Sequence, residues 1–326
     1  MQTQTDIEKT GRPIALVLGA AGFIGRRVAR EMERNGFAVR GIGHGNWQAE
    51  ERQRWGLSAW FDADITLESL RQAADGERIA AVLHCAGSGA VSFSYAQPMQ
   101  DYQRSVDSTL AMLEFVRCRG DAAPRVVMAS SAAVYGDQGD IDIDESAVRS
   151  PISPYGFHKM TAETLCDSYS RFFGVTASSV RLFSVYGEGL RKQLLWDALN
   201  KFKRNEFSFF GTGHELRDWI HVDDAARLLA AAATAEQPRF AVYNGGHEKA
   251  TTREVLTALA GLALASGEVN FSGETHTGNP HRLTASCFRA RQLLGWTPQV
   301  ALAQGLRRYV DWYSDMAREP RFEGRL

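Results

Sequence analysis

The short apolar run Ile14-Ala15-Leu16-Val17-Leu18 ends in Gly19-Ala20-Ala21-Gly22-Phe23-Ile24-Gly25 and passes into a helix-like stretch from Arg26 to Arg34. A strand, a glycine turn and a helix in that order leave few folds open, because the turn must sit at the C-terminal edge of a sheet that the helix then covers. Gly19 can take the tight turn, Gly22 lets the backbone approach a pyrophosphate at the helix N-terminus, and Gly25 lets helix and strand pack closely. A glycine triplet alone is weak evidence. Its neighbours on either side give it weight.

The same alternation continues. Apolar strands read at Ala38–Ile42, Leu57–Phe61, Ala80–His84, Arg125–Met128 and Thr176–Phe183, with helical spacing over Pro98–Arg119 and Tyr155–Phe173. Unbroken alternation of this kind predicts an α/β fold with a doubly wound, Rossmann-type parallel sheet. After Ser184 the pattern changes to helices at Arg191–Arg204, Val222–Ala235, Arg253–Ala265 and Phe288–Leu294, separated by short strands and glycine turns. We therefore expect a dinucleotide-binding domain over 13–183, with some later segments returning to it, and a smaller interleaved α/β substrate domain over 184–318. Residues 1–12 and 319–326 read as tails. Thr251-Thr252-Arg253-Glu254 forms a capping box in sequence.

The chemistry concentrates between Ser130-Ser131-Ala132-Ala133-Val134-Tyr135-Gly136 and Ser153-Pro154-Tyr155-Gly156-Phe157-His158-Lys159. Tyr155 and Lys159 lie four apart behind a proline that can start a helix, so one helical face carries a phenol and an ammonium. A free phenol ionises near pH 10, and using it as a base at pH 7 means favouring the phenolate by about 4 kcal/mol. Lys159 is expected to push that way, and a cationic oxidised nicotinamide further. Ser131 can hold a substrate oxygen in line. The set suits alcohol/ketone interconversion.

Other candidates are weaker. The second strand ends at Gly43-His44-Gly45, without the acid that usually binds a ribose 2′-hydroxyl there. NADP is thereby left open, with His44 or Arg40 as possible contacts to a 2′-phosphate; a solvated His at a glycine turn is the plain alternative. Asp64 can accept from an adenine amino group. His84 reads as a satisfied strand-end histidine before the small-residue turn Cys85-Ala86-Gly87. Asp140 to Glu145 reads as a solvated acidic loop rather than a pair of catalytic or metal-binding carboxylates. The four cysteines are far apart and indicate neither disulfides nor a metal site. With a formal net charge of −1 and no signal-peptide core or spanning run, we expect a soluble, cytoplasmic protein that binds neither nucleic acid nor membrane.

Taken together, Gly19-x-x-Gly22-Phe23-Ile24-Gly25, Ser131, Tyr155-x-x-x-Lys159 and Arg217-Asp218-Trp219-Ile220-His221-Val222-Asp223-Asp224 resemble the extended short-chain dehydrogenase/reductases, in particular the NAD-dependent epimerase/dehydratase family, over roughly residues 13 to 315. The resemblance implies a nucleoside-diphosphate sugar as substrate. It matches Tyr155 to the base or acid, Lys159 to its partner and nicotinamide-ribose contact, and Ser131 to the hydroxyl that positions the sugar. Gly19, Gly22, Phe23, Ile24 and Gly25 match the pyrophosphate turn, Asp64 and Ile65 the adenine site, and Ala86 and Gly87 the turn under the cofactor. Arg217 matches the arginine that meets the diphosphate, as its fork can grip phosphate oxygens. Arg191, Lys192 and Gln193 open a helix that either reaches the diphosphate or is an exposed charged start.

The departures are informative. Relatives that dehydrate or decarboxylate their sugars carry carboxylates where this chain has Ala132 and Ala133, so both reactions are set aside. Ser184 stands where many relatives have Asn, and a family lysine near the nicotinamide aligns with Gly89. The nucleotide contacts near the C-terminus align with His276 and Asn279. The reading favoured is a nucleotide-sugar 4-epimerase with tightly bound NAD; the alternative is an NADPH-dependent 4-ketoreductase, and a non-catalytic dinucleotide-binding regulator is the third. The resemblance also implies a role in polysaccharide precursor synthesis and a homodimer formed through the helices at Pro98–Arg119 and Tyr155–Phe173.

Overall fold

The computed structural model describes residues 11–45, 47–236, 238–275 and 280–318; His276 and Asn279 lie outside them. Its strands are β1 (Ile14–Leu18), β2 (Ala38–Gly43), β3 (Leu57–Asp62), β4 (Ile79–His84), β5 (Arg125–Ser131), β6 (Asp142–Ile143) and β7 (Ala177–Leu182), followed by β8 (Ser184–Tyr186), β9 (Ser208–Phe209), β10 (Leu216–His221), β11 (Phe240–Gly245), β12 (Glu248–Thr251), β13 (Asn270–Phe271) and β14 (Arg282–Ala285). Seven of them form one parallel sheet in the order β11-β7-β5-β4-β1-β2-β3. Burial on both faces explains why its inner strands read as continuous apolar runs. Along β1, Ala15 and Val17 pack with Val28, Met32 and Leu228 on one face. Ile14, Leu16 and Leu18 pack with Leu70, Leu113 and Cys166 on the other.

The second sheet runs β12-β10-β14-β6, with β8 also paired to β10. Leu195, Leu199, Phe202, Leu256, Tyr309 and Tyr313 form the core beside it. The two units are threaded through each other, since β11 follows β10 in the chain but pairs with β7 in the first sheet. Thr251 and Glu254 make the capping box expected from sequence, at the start of the Thr252–Leu262 helix.

Charged residues brace this junction. Asp223 accepts from Arg27 on the first helix at 3.0 Å and from Arg308 on the last at 2.8 Å. Glu188 accepts from Arg308 at 2.7 Å and meets buried His221 at 2.9 Å. Asp224 takes the amides of Gln299 and Val300 at 2.7 and 3.0 Å, and Asp218 that of Ala285 at 3.0 Å. The string of acids after Arg217 is therefore mostly structural. Among the described residues, no helix is long and apolar enough to cross a membrane.

Two expectations need correction. The acidic loop is not simply solvated: Asp142 lies in β6 and accepts from Lys249, Arg282 and Thr284, while Glu145 accepts the amide of Asn244 at 2.8 Å. Their partners lie 99 to 142 residues away in the chain, where no local pattern reveals them. The Pro98–Arg119 helix is also broken up, into Pro98–Tyr102, a π-helical turn at Gln103–Asp107, and Ser108–Arg117. The wider turn carries Ser105 and Val106 inward, and both are buried.

Candidate active site

The C-terminal edges of β4 and β5, the glycine turn after β1, the Pro154–Phe173 helix and parts of the second unit enclose a cavity of about 650 Å³. Local sequence sets its reactive end. Ser153 caps the helix, taking the amide of Gly156 at 3.1 Å, and Pro154 occupies the first turn, so Tyr155 enters at a fixed angle. The Tyr155 amide donates to buried Ser94 Oγ at 3.0 Å. One turn on, Lys159 Nζ donates to the Ala129 carbonyl at 2.9 Å and stands 5.9 Å from the centre of the Tyr155 ring. Ser131 ends β5 in the same wall and also bonds the Tyr155 phenol.

The electrostatics differ from the sequence expectation in one respect. Burial pushes the Tyr155 phenol up to about 12, the hydrogen bond from Ser131 pulls it down, and the Asp101 carboxylate raises it further. Burial pushes the Lys159 ammonium itself down, with Asp101 opposing. The phenol is thus held protonated by this protein alone. Asp101, fully buried, is shared by Ser88 Oγ and His158 Nδ1, the latter at 2.5 Å. Neither residue carries a recognisable spacing, and sequence reading passed over them.

The glycine turn and the segment after β4 fit a dinucleotide. Gly19 has φ 77°, and a Cβ there would come within 2.8 Å of the Ala86 backbone, while one at Gly25 would fall on the Gly19 carbonyl. Only glycine lets these two turns lie edge to edge. Ser105 Oγ is buried with no hydrogen-bond partner among the described residues and lies 3.6 Å from where a Gly87 Cβ would be, an orphan donor directed at that turn. His84 fixes the turn from below: Ala86 N donates to its Nδ1 at 3.3 Å, and its Nε2 meets Ser108 Oγ at 3.0 Å. Burial pushes its pKa down to about 3, so it stays neutral and structural.

Gly22, Phe23, Ile24, Ala86, Gly87, Ser131, Tyr155, Lys159, Ser184 and Arg217 all line the cavity. The Arg217 guanidinium donates to the carbonyls of Leu216 and Pro280 at 2.9 and 2.7 Å, which fixes the fork against the wall. Arg191 lies outside the lining, with its guanidinium 5.9 Å from the Trp312 ring; the next two residues, Lys192 and Gln193, enter the wall instead. Asp64 and Ile65 follow β3 outside this lining.

The proposed 2′-phosphate contacts do not form a cationic site. Arg40 is buried and donates to the carbonyls of Ala73 and Ala74 at 2.8 and 3.0 Å. His44 is exposed between two carboxylates, at 2.8 Å from Asp64 and 3.5 Å from Asp62. The hydrogen bond to Asp64 raises its pKa, against a smaller opposing effect of burial. Even a protonated His44 therefore sits in a cluster with net negative charge, which repels a 2′-phosphate. The acid missing after β2 is in effect supplied from the end of β3.

Residues 15–246 match the family model of the NAD-dependent epimerase/dehydratase family. The chain is 28% identical over 312 residues to a UDP-glucuronate 4-epimerase of Thermodesulfobacterium geofontis, covering 91% of this chain and 95% of that one. It is 29% identical over 317 residues to a UDP-glucose 4-epimerase of Mycolicibacterium smegmatis, covering 93% and 99%. Its fold superposes with a TM-score of 0.81 on the Bacillus cereus UDP-glucuronic acid 4-epimerase solved with UDP-glucuronic acid and NAD, at 27% identity over 93% of this chain and 99% of the other.

Proposed function

The chain belongs to the NAD-dependent epimerase/dehydratase family, and from that premise we propose that it interconverts the C4 epimers of a nucleoside-diphosphate sugar. The observation that carries this reading is the meeting of Ser131, Tyr155 and Lys159 with the glycine turn in one cavity that Arg217 also enters. Gly19, Gly22 and Gly25 would admit the cofactor pyrophosphate, and Lys159 and Ser105 would meet its nicotinamide ribose and ring. Bound NAD supplies a reversible hydride acceptor and a positive charge beside Tyr155.

Ser131 holds the C4 oxygen, Tyr155 takes its proton, and Lys159 balances the phenolate charge. Return of the proton from Tyr155 after the sugar has turned over completes the exchange. Glu215, the one carboxylate among the described lining residues, is occupied by the amides of Thr212 and Gly213 at 2.8 and 3.0 Å. No acid is left to expel water or carbon dioxide from the sugar. The epimerase reading is therefore preferred over dehydration, and the carboxylates around His44 favour NAD over the NADPH of a ketoreductase.

The test is to incubate purified protein with UDP-glucose or UDP-glucuronate and follow the C4 epimer by chromatography, then identify dinucleotide released on denaturation. Epimer formed without net NADH production, with NAD released, supports the proposal. NADPH-dependent reduction of a 4-keto sugar would replace it.

We also propose a homodimer through the helices that carry Tyr102, Leu110 and Phe157. These and Met99, which is 73% exposed, are large apolar side chains facing outward. Light scattering at micromolar concentration is expected to give twice the chain mass; a monomer mass throughout would remove the dimer.

A further inference from the structure

Two lysines face one glycine turn. A Cβ added to Gly87 would lie 3.5 Å from the Lys159 ammonium, and one added to Gly89 would lie 3.5 Å from that of Lys192. Their surroundings differ. Lys159 has Asp101 in its field, whereas Lys192 Nζ donates to the Ser88 carbonyl at 2.9 Å and, among the described residues, pairs with no carboxylate. Burial alone acts on its ammonium, pushing the pKa down. The residue as a whole is exposed at the cavity rim, and a cation held there only by a neutral carbonyl is the arrangement an incoming anion stabilises.

The backbone is bent to put it there. Gln193 has φ 68°, in the left-handed region, and its side-chain amide donates to the Gly89 carbonyl at 3.0 Å. A non-glycine residue in that region at a cavity wall directs attention to function rather than packing. Because the chain turns in this way, both Lys192 and Gln193 reach from the second unit onto the Ser88–Gly89 segment.

A nucleoside-diphosphate sugar brings two kinds of anion: its diphosphate and, in a hexuronate, the C6 carboxylate. Arg217 enters the cavity from β10 in the second sheet. Lys192 is docked instead on the turn that also faces Lys159, the partner of the group that would act at C4. C6 is carried by C5, the neighbour of C4, whereas the diphosphate is attached at C1 across the ring. On the reading of the site as a nucleotide-sugar 4-epimerase, we infer that Lys192 reads the substituent at C6 and that the sugar subsite takes a hexuronate. Gln193 steadies the turn on which that carboxylate lands.

The experiment compares the wild type with Lys192→Met and Lys192→Arg, measuring kcat/KM for UDP-glucuronate and UDP-glucose and the affinity for UDP alone. Expected are a preference of the wild type for UDP-glucuronate and a loss in Lys192→Met of roughly 10- to 100-fold on that substrate, the scale of a lost charge-assisted hydrogen bond. UDP-glucose turnover and UDP affinity are expected to change by less than about threefold, and Lys192→Arg to restore most of the loss. An equal loss on both sugars, or a parallel loss of UDP affinity, overturns the inference and makes Lys192 a contact to the turn or the diphosphate. A wild type that epimerises neither sugar overturns it together with the reading on which it rests.

Discussion

Tyr155→Phe is expected to lower epimerisation by roughly 10²- to 10⁴-fold, the range for loss of a positioned acid–base group, while the protein still folds and retains dinucleotide. The phenol oxygen is the only atom removed. The Tyr155 amide keeps its bond to Ser94 and Lys159 keeps its bond to Ala129, so neither the helix nor the ammonium loses its anchor. Ser131 loses one partner but keeps the Ala133 amide, 3.2 Å away. Burial holds the intact phenol near 12, so the protein alone does not make a phenolate at neutral pH. The positive charges that shift this balance are the Lys159 ammonium and the one that accompanies the cofactor, and among the described residues Tyr155 is the group placed to carry the proton. Turnover of UDP-sugars and dinucleotide released per chain are the two readouts. Full turnover in the variant would sink the assignment of Tyr155, and loss of both turnover and dinucleotide would place its role in binding.

The second large effect concerns stability. Arg181→Met is expected to destabilise the protein by about 3–5 kcal/mol, because it leaves a buried carboxylate with only Ser130 and a longer 3.4 Å contact to Arg149. Glu163 is 1% exposed and receives Arg181 Nε at 3.0 Å and Nη2 at 2.7 Å. The same carboxylate accepts from Ser130 Oγ at 2.6 Å, and Arg181 Nη1 continues to the Tyr135 hydroxyl at 2.8 Å, which donates to Asn244 at 2.7 Å. This chain of polar groups runs directly behind the strand that delivers Ser131. Arg181→Met with Glu163→Gln is expected to recover part of the loss, since the stranded charge is gone. Urea unfolding midpoints decide the matter: a single variant within about 0.5 kcal/mol of the wild type would show that water or rearrangement already satisfies Glu163.

What sequence could disclose is what local geometry encodes. The glycine turn and the strand–helix alternation after it, the proline before Tyr155, and the four-residue step to Lys159 each describe a single element, and each stands in the fold where it was expected. Glu163 lies one further turn along the same helical face as Tyr155 and Lys159. That spacing puts it on the site's helical face, but an acid four residues after a lysine describes a surface pair equally well. Its actual partner comes from β7.

Arg40 and Asp142 misled for the same reason, since a charged residue on a short strand gives no sign of whether carbonyls or lysines from distant segments will enclose it. Lys192 is the converse. Its helix start read equally as a diphosphate contact or an exposed charged turn, and only the left-handed step at Gln193 and the missing side chain at Gly89 show its ammonium in the cavity wall.

The position of β11 matters while the protein is being made. Synthesis delivers β1 to β5 and β7 early, but the strand that covers the outer edge of β7 emerges only after β8, β9 and β10. Until then β7 presents a row of open amides and carbonyls, the kind of edge on which a second nascent chain can pair. The cavity, whose wall extends to Leu283 in β14, has to wait longer still. A ribosome that stalls before β11 therefore leaves six of the seven strands with a sticky open edge and no catalytic value, and slower growth or chaperone supply should raise the yield of soluble protein more than a stronger promoter.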